Sequence, residues 1–375
     1  MKVAFADSYP DSLAGAQRSM LPLLTQSSKI EPRLITFSNG KLTDLVDSHG
    51  VPYSIIEVPK LILDPSSEKS AISLYEIPRS LAAAVNYIYE INKFFSNTDI
   101  DILYCNDIKS LYLFGWAAKL HKIPIVWYVR IDTPHKFLDT AGVFLADKIF
   151  TISDSVRERF VHSPKPLKSK IDTIYTGLDN DYYSRHKTDL DCNEKINSLN
   201  SREFIITEVG SVTERKQQTA LIESINNLPT NIVKNMSVRF VGEILDEEYK
   251  NEIEELASRY GIREIINFHG WQNDVRPYYY ATDINVLPSL NEGLPRSVIE
   301  SQLMEVPVIA SEAGGTNELI NHGETGLLFE INNHNELSDY ILELYDNKTY
   351  RRRLAENGRE SAVQNHSIRS YVCEI

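Results

Sequence analysis

Three cysteines in 375 residues, Cys105, Cys192 and Cys373, are too few and too far apart for a disulfide scaffold or a zinc site, and their odd number points to free thiols. No stretch reaches the ~18 uninterrupted apolar residues of a membrane-spanning helix. The opening Met1–Asp7 reads as a first strand rather than a signal peptide, so a cytoplasmic location is expected. An excess of basic residues is also missing. The 39 Lys and Arg stand against 52 Asp and Glu, a net charge of −13, which disfavours nucleic acid because such binding rests on cationic contacts with phosphate. The imbalance is uneven along the chain. Residues 1–180 hold 20 basic and 20 acidic groups, and residues 181–375 hold 19 and 32. The first half is therefore free to approach an anionic surface such as the inner membrane face, with Lys165, Lys168 and Lys170 as a local basic cluster.

What is present is the composition of a globular protein, 42% hydrophobic and 24% charged, in a chain longer than one core usually holds, so two domains are expected. The first half alternates. Residues 2–6, 32–37, 52–58, 101–105, 124–129 and 146–153 read as strands, and 41–49, 81–95 and 109–121 as helices with apolar residues at helical spacing. Repeated strand and helix argue an α/β fold with a doubly wound parallel sheet, whose ligand sites lie at the carboxyl ends of the strands. Two of those ends carry Asn106-Asp107 and Arg130-Ile131-Asp132. Gly15 sits at the first strand-to-helix turn, where a diphosphate can approach the helix terminus. Residues 183–202 are polar and read as a linker, after which a second alternating set begins at Phe204.

The stretch Val286–Phe329 carries the most chemistry. Pro288 stops a strand, and a loop holds Glu292, Gly293 and Leu294. Pro295 then opens a helix, a position where its missing N–H is no loss. Glu300 lies about one and a half turns further on, so two carboxylates, good acceptors for paired hydroxyls, can grip different parts of one elongated ligand. A strand at Val306–Ala310, the diglycine Gly314-Gly315 with Thr316 as the expected cap of a following helix, and the turn His322–Gly326 complete the run.

This ordered set resembles the donor-binding signature of the GT-B glycosyltransferases, in particular the retaining glycosyltransferase family four, also called group 1. Glu292 and Glu300 match its two glutamates separated by seven residues, Pro307-Val308 its strand, Gly314-Gly315 its turn, and Gly323 and Gly326 its final glycines. The run Gly210-Ser211-Val212-Thr213-Glu214-Arg215-Lys216 resembles the family's phosphate-binding loop, with Lys216 in place and Ser211 where an arginine is usual. Arg215 or Arg130 is expected to supply that cation. Gly15 follows Ala14 where the family has two glycines, with Gln17 in a usually acidic place. Arg130 stands where the family carries a histidine near the reacting sugar, and it holds oxygens rather than acting as a base. His135 is read as a surface-loop residue.

The resemblance implies two Rossmann-like parallel-sheet domains facing across a cleft. The N-terminal acceptor domain would span 1–182 and the nucleotide-sugar donor domain 203–360, with a C-terminal segment, 361–375, packing back towards the first domain. A helical pattern still running at Ile375 suggests a shortened terminus. The implied function is retaining transfer of a sugar from a UDP- or GDP-linked donor to a glycan, lipid-linked or small-molecule acceptor, in cell-surface polysaccharide or glycoconjugate synthesis, with no other cofactor. Glu300 would hold the ribose, Lys216 the phosphates and Glu292 the sugar ring, with Trp271 in the loop that flanks the base. No metal is expected, because lysine, arginine and helix termini neutralise the leaving diphosphate. Asp99-Ile100-Asp101 opens a strand and Asp189-Leu190-Asp191 falls in the linker, so neither is read as a metal-binding pair. Two rival readings remain at this point, a GT-B nucleotide-sugar epimerase and a catalytically silent sugar-nucleotide-binding protein or partner subunit.

Overall fold

A computed structural model of the protein describes residues 1–59, 77–130, 136–161, 165–199 and 203–375. The expectations for His135, for Ile131-Asp132 and for 162–164 of the basic cluster lie outside the described residues. The chain divides into two compact units. The first comprises Met1–Ile152, Val156–Ile174 and Val372–Ile375, and the second Ser153–Ser155 and Tyr175–Tyr371.

The first unit is built on a seven-stranded sheet: β1 (Lys2–Ala6), β2 (Glu31–Thr36), β3 (Tyr53–Ile55), β4 (Ile102–Cys105), β5 (Ile125–Val129), β6 (Lys148–Thr151) and β7 (Ile171–Thr173). The order is β3-β2-β1-β4-β5-β6-β7 and every pairing is parallel. The chain starts in the middle, moves to one edge and crosses back, so β1 and β4 flank a switch point where strand ends diverge and a ligand crevice forms. The helices are α1 (Gly15–Thr25), α2 (Lys41–Ser48), α3 (Ile77–Asn97), α4 (Ile108–Leu120), α5 (Lys136–Leu145), α6 (Asp154–Glu158) and α7 (Lys165–Lys168). Asp107 caps α4, its carboxylate accepting from Ser110 N at 2.8 Å, which meets one of the orphan N–H groups of the first turn. Phe5, Leu103, Ile125, Trp127 and Ile149 of the sheet are buried with Leu111, Phe114 and Val143 of the helices, as fits strands covered on both faces.

The second unit repeats the plan on six strands: β8 (Phe204–Val209), β9 (Met236–Val241), β10 (Ile266–Gly270), β11 (Ile284–Leu287), β12 (Val308–Ser311) and β13 (Leu327–Phe329), in the order β10-β9-β8-β11-β12-β13, all parallel. Its helices are α8 (Arg185–Leu199), α9 (Gln218–Asn226), α10 (Thr230–Val233), α11 (Glu247–Arg259), α12 (Arg276–Tyr280), α13 (Arg296–Leu303), α14 (His334–Asp346), α15 (Lys348–Asn365) and α16 (Ile368–Glu374). Its core joins Ile206, Val238, Val286 and Ile309 of the strands to Leu221, Ile225, Ile253 and Leu337 of the helices.

Two sequence expectations need correction. Most of 183–202, read as linker, is helix α8. It has a weak apolar face, but Arg185 anchors it by donating to Tyr280 O (2.9 Å) and Met304 O (3.2 Å), and Arg276 reaches Asp191 (3.1 Å) from α12. Thr316 does not cap a helix either. It lies inside a 3₁₀ turn, Gly314–Glu318, whose preceding residue is Ala313, and its buried hydroxyl has no partner among the described residues. Asp99 and Asp101 both bond Lys2, through its ammonium and its backbone N–H.

Candidate functional site

The second unit's carboxyl-end loops assemble around one carboxylate. After β8, Gly210 N donates to Val241 O at 3.0 Å, and a 3₁₀ turn, Glu214–Lys216, brings Lys216 inward, where it is 8% exposed. A side chain at Gly210 would lie 3.2 Å from Lys216 Cε, so the glycine leaves the lysine its channel. The Lys216 ammonium is 2.6 Å from Glu292 Oε1, and Arg215 Nη1 is 3.4 Å from the same oxygen. The two loops are also stitched through backbone: Leu290 N donates to Arg215 O (2.9 Å) and Arg215 Nη1 to Asn291 O (2.8 Å). Burial alone would raise the Glu292 carboxyl, but the charges of Lys216 and Arg215 and the lysine's hydrogen bond outweigh it and hold the group below its ordinary range. Glu292 is therefore ionised at neutral pH, beside two cations.

The loop's far side is fixed by Gly315. Its N–H donates to Glu292 O at 3.0 Å, and a Cβ built on it would lie 2.0 Å from Gly293 O. Only glycine permits that approach. Leu294 is buried behind the loop, and Pro295 precedes α13 in an extended conformation.

Glu300 lies on α13 and is 5% exposed. Its Oε1 accepts from Tyr183 Oη (3.2 Å) and Arg296 Nη2 (3.4 Å), and the Tyr279 hydroxyl is 3.4 Å from Oε2 and 3.1 Å from Ser297 O. Burial, and then the charge of Glu300, push the Tyr279 phenol well above its usual range, so it stays a donor. A carboxylate so oriented presents its remaining lone pairs in fixed directions, which is what recognition of a vicinal diol requires. Trp271, 41% exposed, stands in the loop after β10, where Gln272 Nε2 donates to His269 O at 2.7 Å.

Beneath Lys216 is a group the sequence reading missed. Glu208, in β8, is 1% exposed; its Oε1 accepts from Gln218 Nε2 at 2.9 Å, and the same amide donates to Ser211 O at 3.1 Å. The signal was present, since Glu208 is a lone charge in the apolar strand Phe-Ile-Ile-Thr-Glu-Val. Tyr183 and Tyr279 gave none, because what makes them partners of Glu300 is their approach from different elements.

In the first unit the residues at three strand ends form a chain. Arg130 Nε donates to Asn106 Oδ1 (2.8 Å), Asn106 Nδ2 to Asp7 Oδ2 (2.7 Å), and Gln17 Nε2 to Asp7 Oδ2 (3.1 Å). Arg130 also stacks on Tyr128, 3.9 Å from the ring centroid, and reaches Tyr104 Oη at 3.2 Å. Asp107 instead caps α4 and bonds Ser8. Burial, and then the nearby charge of Asp107, push the Asp7 carboxyl up to about 6, with Asn106, the Tyr9 N–H and Gln17 opposing. Gly15 opens α1 with no side-chain cap on Ala14. The structure thus groups Glu292, Lys216, Arg215, Gly210, Ser211, Gly293 and Leu294 in one set of loops, puts Glu300 on the helix that follows, and leaves Arg130 and Gly15 on the other sheet.

Residues 191–361, most of the second unit, match the family profile described as glycosyl transferases group 1. Over that stretch, a little under half of its length, the chain is similar to the group 1 glycosyl transferases. Among curated glycosyltransferases, the UDP-Gal:alpha-D-GlcNAc-diphosphoundecaprenol alpha-1,3-galactosyltransferase of Escherichia coli is 24% identical over 100% of this chain and 95% of its own length. The capsular polysaccharide biosynthesis glycosyltransferase CapM of Staphylococcus aureus is 26% identical over 65% of this chain and 67% of its own. The solved structure of Anabaena Alr3699/HepE with UDP-glucose superposes with a TM-score of 0.83 at 20% identity, covering 100% of this chain and 98% of that one. The glycosyltransferase's two parallel sheets are those of the GT-B fold.

Proposed function

We propose that this glycosyltransferase moves a sugar, with retention of anomeric configuration and without a metal ion, from a UDP-sugar to a lipid-diphosphate-linked glycan in cell-surface polysaccharide synthesis. The observation that carries the reading is the ionised Glu292 gripped by Lys216 and Arg215, on a loop pinned by Gly315 and followed by the oriented carboxylate of Glu300. In this reading Lys216 and Arg215 neutralise the leaving diphosphate, Glu292 accepts from sugar hydroxyls and Glu300 from the ribose diol. The diphosphate, as it leaves, takes the proton of the acceptor hydroxyl on the same face of the sugar. Two fixed cations supply the charge a metal would otherwise bring.

The preference for UDP over GDP draws on the Escherichia coli relative, whose name states a UDP-sugar donor and a diphosphoundecaprenol acceptor, and on HepE, solved with UDP-glucose. The first unit would receive the acceptor, with Arg130, held flat on Tyr128, as the cation for its phosphate or sugar oxygens. Peripheral contact with a bilayer belongs to the same reading. Val85, Ile88 and Tyr89 of α3 and Phe137, Leu138 and Phe144 of α5 are exposed, and α4 packs against both helices. Of the basic cluster, Lys170 donates to Ala146 O and Lys168 is exposed. No helix among the described residues is long and apolar enough to cross a membrane.

The test is incubation with labelled UDP-galactose, UDP-glucose, UDP-N-acetylglucosamine and GDP-mannose, in the presence of a chelator, with a diphospholipid-linked GlcNAc acceptor. Product of retained configuration from one UDP-sugar is expected. Saturable binding of donor without turnover would return the silent sugar-nucleotide-binding reading, and turnover only with added metal would remove metal independence.

A further inference from the structure

Glu208 has no part in the mechanism above, yet it is the most deeply buried carboxyl of the donor loops. Its Oε1 accepts from Gln218 Nε2, and its Oε2, fully shielded from solvent, has no hydrogen-bond partner among the described residues. The groups around it come from four elements. Lys216 approaches from the 3₁₀ turn and Glu292 from the loop after β11, the neutral Gln218 amide from α9, and the Tyr249 phenol from α11. Lys216 is already engaged by Glu292 at 2.6 Å.

Two carboxyls and one buried ammonium cannot all stay charged without the second carboxyl lacking a counterion, and an unpaired ion in such a place is far less stable than its neutral form. Groups in this relation are driven apart in acidity. One of the pair must take the proton, and Glu292 has both the lysine and the arginine. We propose that Glu208 is a positioning residue of the donor site that works as a neutral, proton-carrying carboxyl. It anchors the Gln218 amide that holds the Ser211 carbonyl of the phosphate loop, and leaves the positive charge of Lys216 and Arg215 for Glu292 and the diphosphate. The inference rests on the donor reading given above. Burial is the chief cause that pushes the Glu208 carboxyl well above its usual range, with the charge of Glu292 adding to it and Lys216 and the Gln218 hydrogen bond opposing. An ionised Glu208 would bring the four groups, two cations and two carboxylates, to zero net charge. A neutral one leaves a positive site for the diphosphate.

Two measurements test this on the full chain. Calorimetric binding of UDP at pH 7 compares wild type with Glu208→Gln and Glu208→Ala, each checked for folding by thermal melting. Glu208→Gln keeps the neutral shape and the acceptor for Gln218, and is expected to bind UDP within about twofold of wild type. Glu208→Ala leaves the amide without its acceptor and is expected to bind about tenfold more weakly, the effect of one lost buried hydrogen bond. A tenfold or greater loss in folded Glu208→Gln shows that the site uses an ionised carboxylate, and overturns the proposal. Independently, ¹³C NMR of the wild-type chain labelled at the glutamate carboxyls should show one resonance still in the protonated position at pH 7. All carboxyls ionised at that pH would also overturn it. The NMR result stands whether or not the variants fold. Wild type that fails to bind UDP would count against the donor reading alone.

Discussion

Gly315→Ala puts the smallest possible addition at the point where two loops of the donor site meet. The added Cβ would lie 2.0 Å from Gly293 O, and the obstacle is backbone, not the tip of a flexible side chain. Ordinary contact needs at least 3.4 Å, so one loop must retreat by more than 1 Å. The retreat strains or breaks the bond from Gly315 N to Glu292 O, worth about 1 kcal/mol net. Forced repacking of the buried surroundings adds about 1–3 kcal/mol. The expected total is a loss of about 2–4 kcal/mol of stability, and it is accompanied by displacement of the Glu292 carboxylate from Lys216. A misplacement of that size at a reacting centre costs on the order of 10²-fold in rate. Gly323→Ala is the control. Its φ of +77° makes alanine strained, but the nearest atom to an added Cβ is Tyr350 Oη at 3.8 Å, so its cost is about 1 kcal/mol and falls outside the donor loops. Urea melts of both variants, UDP binding by calorimetry and sugar transfer supply the readouts. If Gly315→Ala loses no more stability than Gly323→Ala and binds UDP as wild type does, the pinned-loop account of Glu292 is wrong.

Glu300→Ala should weaken UDP binding about tenfold by removing a diol acceptor, whereas Glu292→Gln should lower kcat more than donor affinity; kinetics unchanged in both variants would remove the site assignment. Asp7→Asn probes the first unit by its pH dependence. An acid whose folded pKa is raised stabilises the fold while protonated, so the contribution of Asp7 to wild-type stability is fully present below pH 3.8 and is lost as pH rises to about 6. That gap corresponds to at most about 3 kcal/mol at 1.36 kcal/mol per pH unit. The stability of Asp7→Asn relative to wild type should therefore increase between pH 4 and pH 7 in urea titrations, and a flat difference would show that Asp7 is not held protonated by its surroundings. Paired Phe137→Ser and Phe144→Ser should reduce co-sedimentation with phosphatidylglycerol vesicles several-fold, each exposed ring being worth about 1.5–3 kcal/mol when buried; retention on vesicles would take the bilayer off that face.

Much of this was readable from the chain because the relevant information is local. Strand and helix alternate with the right periods, which is what a parallel sheet with right-handed crossovers requires. The loop that holds Glu292 announces itself through Pro288, Gly293 and Pro295 within eight residues. Arg215-Lys216 was legible for the same reason. Helix α8 was not, since its sequence is polar almost throughout and only Thr188, Ile196 and Leu199 are buried. Its support comes from cation stacking and carbonyl contacts with residues some 90 to 120 positions away, such as Arg185 on the Tyr280 ring. Thr316 was misread because a threonine after two glycines satisfies the capping pattern, while the backbone has already entered a 3₁₀ turn at Gly314, two residues earlier.

The harder loss is in the charges. Sequence relates Lys216 and Glu292 only through a family resemblance and leaves Glu208 as an unremarked strand residue, and each alone has an ordinary explanation. Folding sets them around one buried volume, and from then on the protonation of each depends on the others, because low dielectric makes every unpaired charge expensive. Arg215, with its side chain 51% exposed, can reach Glu292 but is screened by water, so Lys216 carries most of the pairing. In the proposed reading a donor's diphosphate would compete with Glu292 chiefly for one buried ammonium, and the carboxylate freed by that competition would become available to the sugar it arrives with. The backbone on both sides is set for that competition: Gly210 has no Cβ to crowd the Lys216 side chain, and Gly315 holds the backbone of Glu292 in place.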